Sequence, residues 1–216
     1  MQCKYVEYKW QTPETCAHDY IVPVIIKIIR KLGLPFDSKI LDAGYGGGGG
    51  GGGLAYTLYN HFGFKNVYGF DASKSGIDVA KNSFPEIAEK FFIHNTYEFK
   101  LPDYIPQRFD LIISMEVIEH LYNPKAYLAN INQWLKNDVY LILTTPYHGY
   151  LKNLLIALTG KFDRHVDSLC DVGHIKFFSR ETLYRLLKEA GIKLLKYYGL
   201  GRLPFLWKSM VVAAKK

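Results

Sequence analysis

Long hydrophobic runs are missing from this chain. No apolar stretch reaches the roughly 18–20 residues that a membrane-spanning helix needs. The opening MQCKYVEYKWQTPET lacks the apolar core of a secretory signal. Cysteine is scarce: Cys3, Cys16 and Cys170 are odd in number, far apart and without a C-x-x-C pair. That argues against a disulfide framework or a structural zinc site. No Lys/Arg block and no RNA-binding aromatic signature is present, so nucleic acid is not expected as a partner despite the net charge of +7. These absences predict a reduced, cytoplasmic protein. Acidic residues thin out late in the chain. Residues 147–216 hold 13 Lys/Arg against 5 Asp/Glu, whereas residues 1–146 hold 14 against 15. The whole basic excess therefore sits in the last third.

What remains is a globular composition, 49% hydrophobic and 22% charged over 216 residues, enough to bury one core. Apolar residues Ile21, Val24, Ile25, Ile28, Ile29 and Leu32 recur at helical spacing. A start near Ile21 puts Pro23 in the first turn, and Gly33 caps the end. Lys39–Ala43, Asn66–Asp71, Phe91–His94, Phe109–Ser114 and Val139–Leu143 read as short buried strands. Between them, Leu54–Tyr59, a Ser73-capped segment and a segment opened by Asn123-Pro124 and running to Leu135 read as helices. Ser179 caps a last helix closed by Gly191, and Ile192–Tyr198 and Phe205–Ala214 form a late strand pair. This alternation predicts an α/β, Rossmann-like, doubly wound sheet of seven strands, mostly parallel with one antiparallel strand near the C-terminus.

Nine of the 19 glycines are Gly44 and Gly46–Gly53, directly after the first strand. A strand, a glycine turn and a helix start let backbone N–H groups approach a nucleotide-like ligand. A homopolymer matches any glycine pattern, so the neighbours matter more. Asp42 precedes Gly44 to give Asp-x-Gly-x-Gly, and Asp71 ends the second strand, where a carboxylate can bind both ribose hydroxyls. Asp42 as a helix cap and Asp71 as a turn residue are the alternatives. Glycine inside a helix costs about 1 kcal/mol relative to Ala. Five such residues would cost about 4–5 kcal/mol of a total near 5–15. Only Gly44, Gly46 and Gly48 serve the turn. We therefore expect Gly47 and Gly49–Gly53 to stand in for other residues.

Together, ILDAGYGGG, VYGFDAS and FDLIISMEVIEHL resemble the class I S-adenosylmethionine-dependent methyltransferases, and the likeness spans nearly the whole chain. The third segment and GHIKFFSRETLYRLLKEAG resemble the branch holding the ubiquinone-biosynthesis O-methyltransferases and many small-molecule methyltransferases. The resemblance implies S-adenosylmethionine as cofactor. It places Asp42, Gly44, Gly46, Gly48, Asp71 and Ala72 around it, Thr96 and Tyr97 beside the adenine, and Ser114, Met115 and Glu116 beside the methionine part. Tyr45 departs from the family, which often has Cys there. A Glu/Glu/His set like Glu116, Glu119 and His120 is associated in that branch with a divalent ion, implying Mg²⁺. The alternative is that Glu119 and His120 only orient the segment.

Methyl transfer requires the acceptor to be positioned and sometimes deprotonated. Glu116, His120 and His148 are the candidate catalytic groups, with His174 behind them and a structural role as the alternative for each histidine. One domain is expected: a helical cap at 1–37, a cofactor core at 38–146, a substrate lid at 147–178 and a helix and strand pair at 179–216. In the lid, Leu151, Leu154, Leu155 and Leu158 share a helical face, either as a core helix or as an apolar cover. With the basic charge, it suits a small-molecule or lipid-linked acceptor and a peripheral membrane contact. A methyl group passed to oxygen of a small molecule is the leading reading. A nicotinamide-dependent oxidoreductase and a non-catalytic cofactor-binding protein are the alternatives, and monomer and homodimer both stay open.

Overall fold

The computed structural model describes residues 18–44, 53–166, 169 and 173–216. In chain order the elements are α1 (His18–Leu32), β1 (Lys39–Ala43), α2 (Gly53–Asn60), β2 (Asn66–Asp71), α3 (Lys74–Ser83), β3 (Phe91–Ile93), β4 (Phe109–Met115), α4 (Pro124–Trp134), β5 (Leu135–Pro146), α5 (Tyr150–Leu158), α6 (Arg180–Glu189), β6 (Lys193–Leu200) and β7 (Ser209–Lys215). The seven strands form one sheet in the order β3-β2-β1-β4-β5-β7-β6, with β7 antiparallel to both of its neighbours. The expected sheet, with its single reversed strand, is the one observed.

Period-two burial explains why helices cover both faces. Leu41, Ile112, Leu141, Leu143 and Val212 point to one side, where Tyr127, Leu128 and Trp134 of α4 and Leu183 and Leu187 of α6 close the core. Ile40, Leu111, Ile113, Ile142 and Val211 point to the other, against Ile21, Ile25, Leu54, Leu58 and Ile77 of α1, α2 and α3. Burial on both faces leaves no polar side to a central strand, which is why β1, β4 and β5 read as apolar runs. Local chemistry sets the helix ends. Ser73 Oγ accepts from Gly76 N, Asn123 Oδ1 accepts from Ala126 N with Pro124 next, and Ser179 and Thr182 form a reciprocal capping box. Gly33 and Gly191 end α1 and α6 in the left-handed region, φ 60° and 72°.

Several strand ends shift by one or two residues, and β5 is longer than the expected Val139–Leu143 at both ends; three differences have a clear physical reason. Helix α1 is already formed at His18, so Pro23 lies inside it rather than in its first turn. Pro23 is on the solvent side, where water can satisfy the Asp19 carbonyl that it cannot serve. Leu135 belongs to β5, not to α4. Strand β7 begins at Ser209 rather than Phe205, because Phe205 has a φ of 66° in the preceding turn and cannot be extended strand.

Candidate functional site

Strand order reverses between β1 and β4, which pair in parallel. In open α/β sheets the crevice beyond the strand ends at such a switch is where ligands bind. Gly44 leaves β1 with φ 74°, and a Cβ there would stand 2.8 Å from both methyls of Val117. Only glycine permits this turn against the β4 segment. Behind it Asp42 is buried, and its Oδ1 has no hydrogen-bond partner among the described residues. Burial first, and then the nearby Asp71 charge, push its carboxyl up to about 7. Asp71 sits half-buried at the end of β2, and its Oδ1 accepts from Ser73 N at 2.7 Å. Ala72 follows it, also half-buried. Gly46 and Gly48, with Tyr45, Gly47 and Gly49–Gly52, lie outside the described residues. Gly53 opens α2.

Thr96 is buried and its carbonyl accepts from Asn130 Nδ2 at 2.9 Å. The Tyr97 hydroxyl accepts from Asn123 N at 3.1 Å, which ties this loop to the start of α4. Ser114 is buried at the end of β4. The Tyr127 hydroxyl reaches Ser114 Oγ at 2.9 Å and the Ala43 carbonyl at 3.2 Å, clamping the ends of β1 and β4 together. Met115 is half-buried beside them.

Glu116, Glu119 and His120 do not share one helical face. Glu116 has φ 52°, which takes the chain out of β4, and only Ile118–His120 forms a single 3₁₀ turn. The Glu116 carboxylate turns toward β5 and β7. It accepts from Thr144 Oγ1 at 2.8 Å and from Ser209 Oγ at 3.4 Å. Burial pushes Glu116 up to about 7, against the pull of these two hydroxyls and of the Lys152 charge. Glu119 is fully buried, and Thr145 Oγ1 donates to its Oε2 at 3.0 Å while Oε1 has no partner among the described residues. Burial and the neighbouring Glu116 charge raise its carboxyl well above the usual range.

The group that does converge is Glu119, His120 and His174, with one ligand atom from each within 4.8 Å of the others. Residues 173–176 are held there by the backbone, since Ile175 N and Lys176 N both donate to the Glu119 carbonyl at 2.9 Å. The two imidazoles sit 4.9 Å apart, centroid to centroid. Burial and the charges of His120, His148 and Lys152 bring His174 down to about 4, so its ring is neutral and free to ligate near pH 7. His174 takes the place that the resemblance had given to Glu116.

Beyond the end of β5 lies a cavity of about 230 Å³ lined by His148, Asn153, Ile156, Phe162, His165, Val166 and Phe177. The His148 ring packs edge-on against Phe177, with centroids 4.9 Å apart, and its Nδ1 is 3.4 Å from Asn153 Oδ1. Burial first, then the Lys152 charge, lower His148 to about 4. A neutral imidazole in an aromatic-walled cavity can accept a hydrogen bond from a hydroxyl. Sequence reasoning missed Thr144, Thr145, Ser209, Tyr127 and Phe177. Only the paired hydroxyls of Thr144-Thr145, directly after an apolar strand, could have signalled partners for buried acids.

A family model described as "Methyltransferase domain" matches residues 18–197. The ubiquinone biosynthesis O-methyltransferase of Cereibacter sphaeroides is 30% identical over 198 residues, 89% of this chain and 76% of that one. The mitochondrial ubiquinone biosynthesis O-methyltransferase of Schizosaccharomyces pombe is 32% identical over 170 residues, 76% of this chain and 58% of that one. Among solved structures, a magnesium protoporphyrin IX methyltransferase from Synechocystis with bound SAH superposes with a TM-score of 0.67 at 16% identity, covering 89% of this chain and 80% of that one. An S-adenosylmethionine-dependent methyltransferase from Clostridium acetobutylicum does so at 0.68 and 16%, covering 90% and 89%.

Proposed function

Since this chain belongs to the class I S-adenosylmethionine-dependent methyltransferases, we propose that its acceptor is a small molecule with a flat or apolar body, methylated on a hydroxyl oxygen. Membership of the family removes the nicotinamide-dependent alternative. The observation that carries the acceptor reading is the aromatic-walled cavity holding neutral His148, whose charge would bear on nearby His174. The names of the relatives, O-methyltransferases of ubiquinone biosynthesis, agree with transfer to oxygen.

The residues at the sheet switch fit the cofactor. The Gly44 turn leaves a cradle that any Cβ would fill, and the orphaned Asp42 Oδ1 lies behind it. Gly44 would bring its backbone against the cofactor, Asp71 would hold the ribose diol, and Thr96 and Tyr97 would flank the base. Ser114 and Met115 would line the methionine part. When bound, the cofactor supplies an electrophilic methyl on a sulfonium, and the remaining work is positional. Phe162 and Phe177 would hold the acceptor's flat body. His148 would accept a hydrogen bond from its hydroxyl and so aim the oxygen lone pair, and residues 147–178 would act as the lid that excludes water.

Glu119, His120 and His174 offer one carboxylate and two imidazoles. That donor set suits a borderline ion such as Fe²⁺ or Zn²⁺ better than Mg²⁺, which prefers oxygen ligands and retained waters. An ion there would lower the pKa of a bound hydroxyl. The test is thermal-shift titration with S-adenosylhomocysteine, then a panel of catechols, phenols, amines and carbon acids scored for S-adenosylhomocysteine release. Methylation of the hydroxyl acceptors alone is expected. Turnover confined to amines or carbon acids would overturn the oxygen assignment, and cofactor binding without turnover of any acceptor would favour a non-catalytic role.

A further inference from the structure

Helix α5 is built inside out. Its one buried side chain is Lys152, whose ammonium donates to the Tyr147 carbonyl at 2.6 Å and lies 3.5 Å from the Lys208 carbonyl. Its leucines face solvent: Leu151 is 41% exposed, Leu154 38%, Leu155 40% and Leu158 73%. Their spacing of i, i+3, i+4 and i+7 is that of a stripe which a globular helix normally turns inward. Exposed Tyr150 and Phe162 extend the patch at its two ends. The helix is therefore pinned by its cation and presents its apolar face outward, the reverse of a core helix.

Charge decides what covers this face. Lys161 and Arg164 follow the helix with a single acid, Asp163, between them, and all three are exposed. Through the Lys152–Lys208 contact, the β6–β7 turn lies at the base of the helix and carries exposed Arg202, Leu203 and Phe205. Arg202 is near enough that its charge bears on both Lys152 and His165. A second copy meeting this face about a two-fold axis would bring these cations against their own kind. A nucleic acid would satisfy the cations and leave the leucines wet. An apolar stripe rimmed by Lys and Arg matches the boundary between acyl chains and negatively charged headgroups. We propose that α5, with the Lys161–Arg164 loop and the β6–β7 turn, docks on an anionic phospholipid surface. Asn153 and Ile156 of the same helix line the His148 cavity, so docking sets that cavity next to the bilayer, where an acceptor with an apolar tail resides. The docking itself does not depend on which acceptor is methylated.

The test is flotation of the full chain with vesicles of phosphatidylcholine plus phosphatidylglycerol, against vesicles of phosphatidylcholine alone. Binding to the anionic vesicles is expected, with loss as ionic strength rises. The double variants Leu155→Asp/Leu158→Asp and Lys161→Glu/Arg164→Glu should each weaken it by about tenfold or more. Both should keep the thermal shift given by S-adenosylhomocysteine, which shows that they fold. Three outcomes would overturn the proposal. One is no flotation with anionic vesicles at low salt. Another is equal flotation of the wild type and both folded variants. The third is a wild-type dimer, seen by light scattering, that the leucine variant dissociates, which would assign the face to a second copy.

Discussion

Glu116 and Thr144 hold each other twice. Thr144 Oγ1 donates to Glu116 Oε1 at 2.8 Å and accepts from Glu116 N at 3.0 Å. The pair crosses from β4 to β5 and fixes a non-glycine residue at φ 52° at the mouth of the site. Thr144→Val keeps the shape and removes both bonds, leaving Ser209 as the carboxylate's remaining hydroxyl partner. A loss of about 1.5–3 kcal/mol is expected, read as a lower urea midpoint at unchanged slope. Thr144→Ser should stay within about 1 kcal/mol of wild type. Equal effects of the two would show that the methyl matters and the hydroxyl does not.

Gly44→Ala meets two obstacles, a left-handed backbone and the Val117 methyls at 2.8 Å. The backbone alone costs about 1–2 kcal/mol. We expect a lower melting temperature and loss of the thermal shift on adding S-adenosylhomocysteine. Adding Val117→Ala should recover part of the stability and little of the binding, since the strain at φ 74° persists. Full recovery of both would mean that packing alone selects glycine here.

Asp42 gives stability a pH slope of definite sign. Its folded carboxyl titrates near 7, raised from 3.8 by burial and then by Asp71. The folded chain keeps a proton that the unfolded chain has released. The contribution is therefore full below about pH 4, falls as pH rises toward 7, and is flat above that. Asp42→Asn should remove up to one proton of linkage, about 1.4 kcal/mol per pH unit within that window. Urea midpoints of wild type and variant across pH 4–8 give the comparison, and parallel curves would sink the assignment.

His148, lowered to about 4, is neutral from pH 5 upward. The pH profile of kcat/KM should therefore lack a limb at the ordinary histidine value. A group of such low basicity orients a hydroxyl better than it removes its proton. His148→Ala should lower kcat by about 10²-fold, the small end for acid–base groups, and leave the S-adenosylhomocysteine thermal shift intact. A limb near 6.5 that disappears in His148→Ala would contradict this environment.

Glu119 and His174 predict a choice among metals. Zn²⁺ or Fe²⁺ should raise the melting temperature more than Mg²⁺ at equal concentration, through binding to the folded state. Glu119→Gln and His174→Ala should each abolish that rise, whereas Glu116→Gln should spare it. Loss of the rise in Glu116→Gln, with His174→Ala unaffected, would return the site to the Glu116, Glu119 and His120 arrangement implied by resemblance.

The elements were legible because their signals are local. Asn123-Pro124, Ser73 and Ser179 start helices by satisfying N–H groups two or three residues away, and Gly33 and Gly191 end them by adopting positive φ. Alternation of Ile40 with Leu41, and of Leu111 with Ile112, needs no knowledge of what covers each face to predict a buried parallel sheet. Asp42, Gly44 and Asp71 were equally readable, because strand ends and turns place them whatever the rest of the chain does.

Other features depended on contacts between residues far apart in sequence. The resemblance grouped Glu116 with Glu119 and His120, but a backbone turn at φ 52° sends Glu116 to Thr144 and Ser209 instead. His174 replaces it because two amides at 175 and 176 bind the Glu119 carbonyl, a pairing across more than 50 residues that no local pattern encodes. The leucine stripe of α5 was visible as a periodicity, but a period does not say which side is core. That was decided by Lys152, whose ammonium finds backbone carbonyls at the end of the sheet and turns the leucines outward. The sequence by itself determined the layers, the glycine turn and the strand-end acid, because each follows from residues within a few positions of one another. Which partners the buried acids take, which histidine joins Glu119 and which face of α5 meets solvent were settled only by long-range packing, because each depends on where distant groups offer a partner to a desolvated charge.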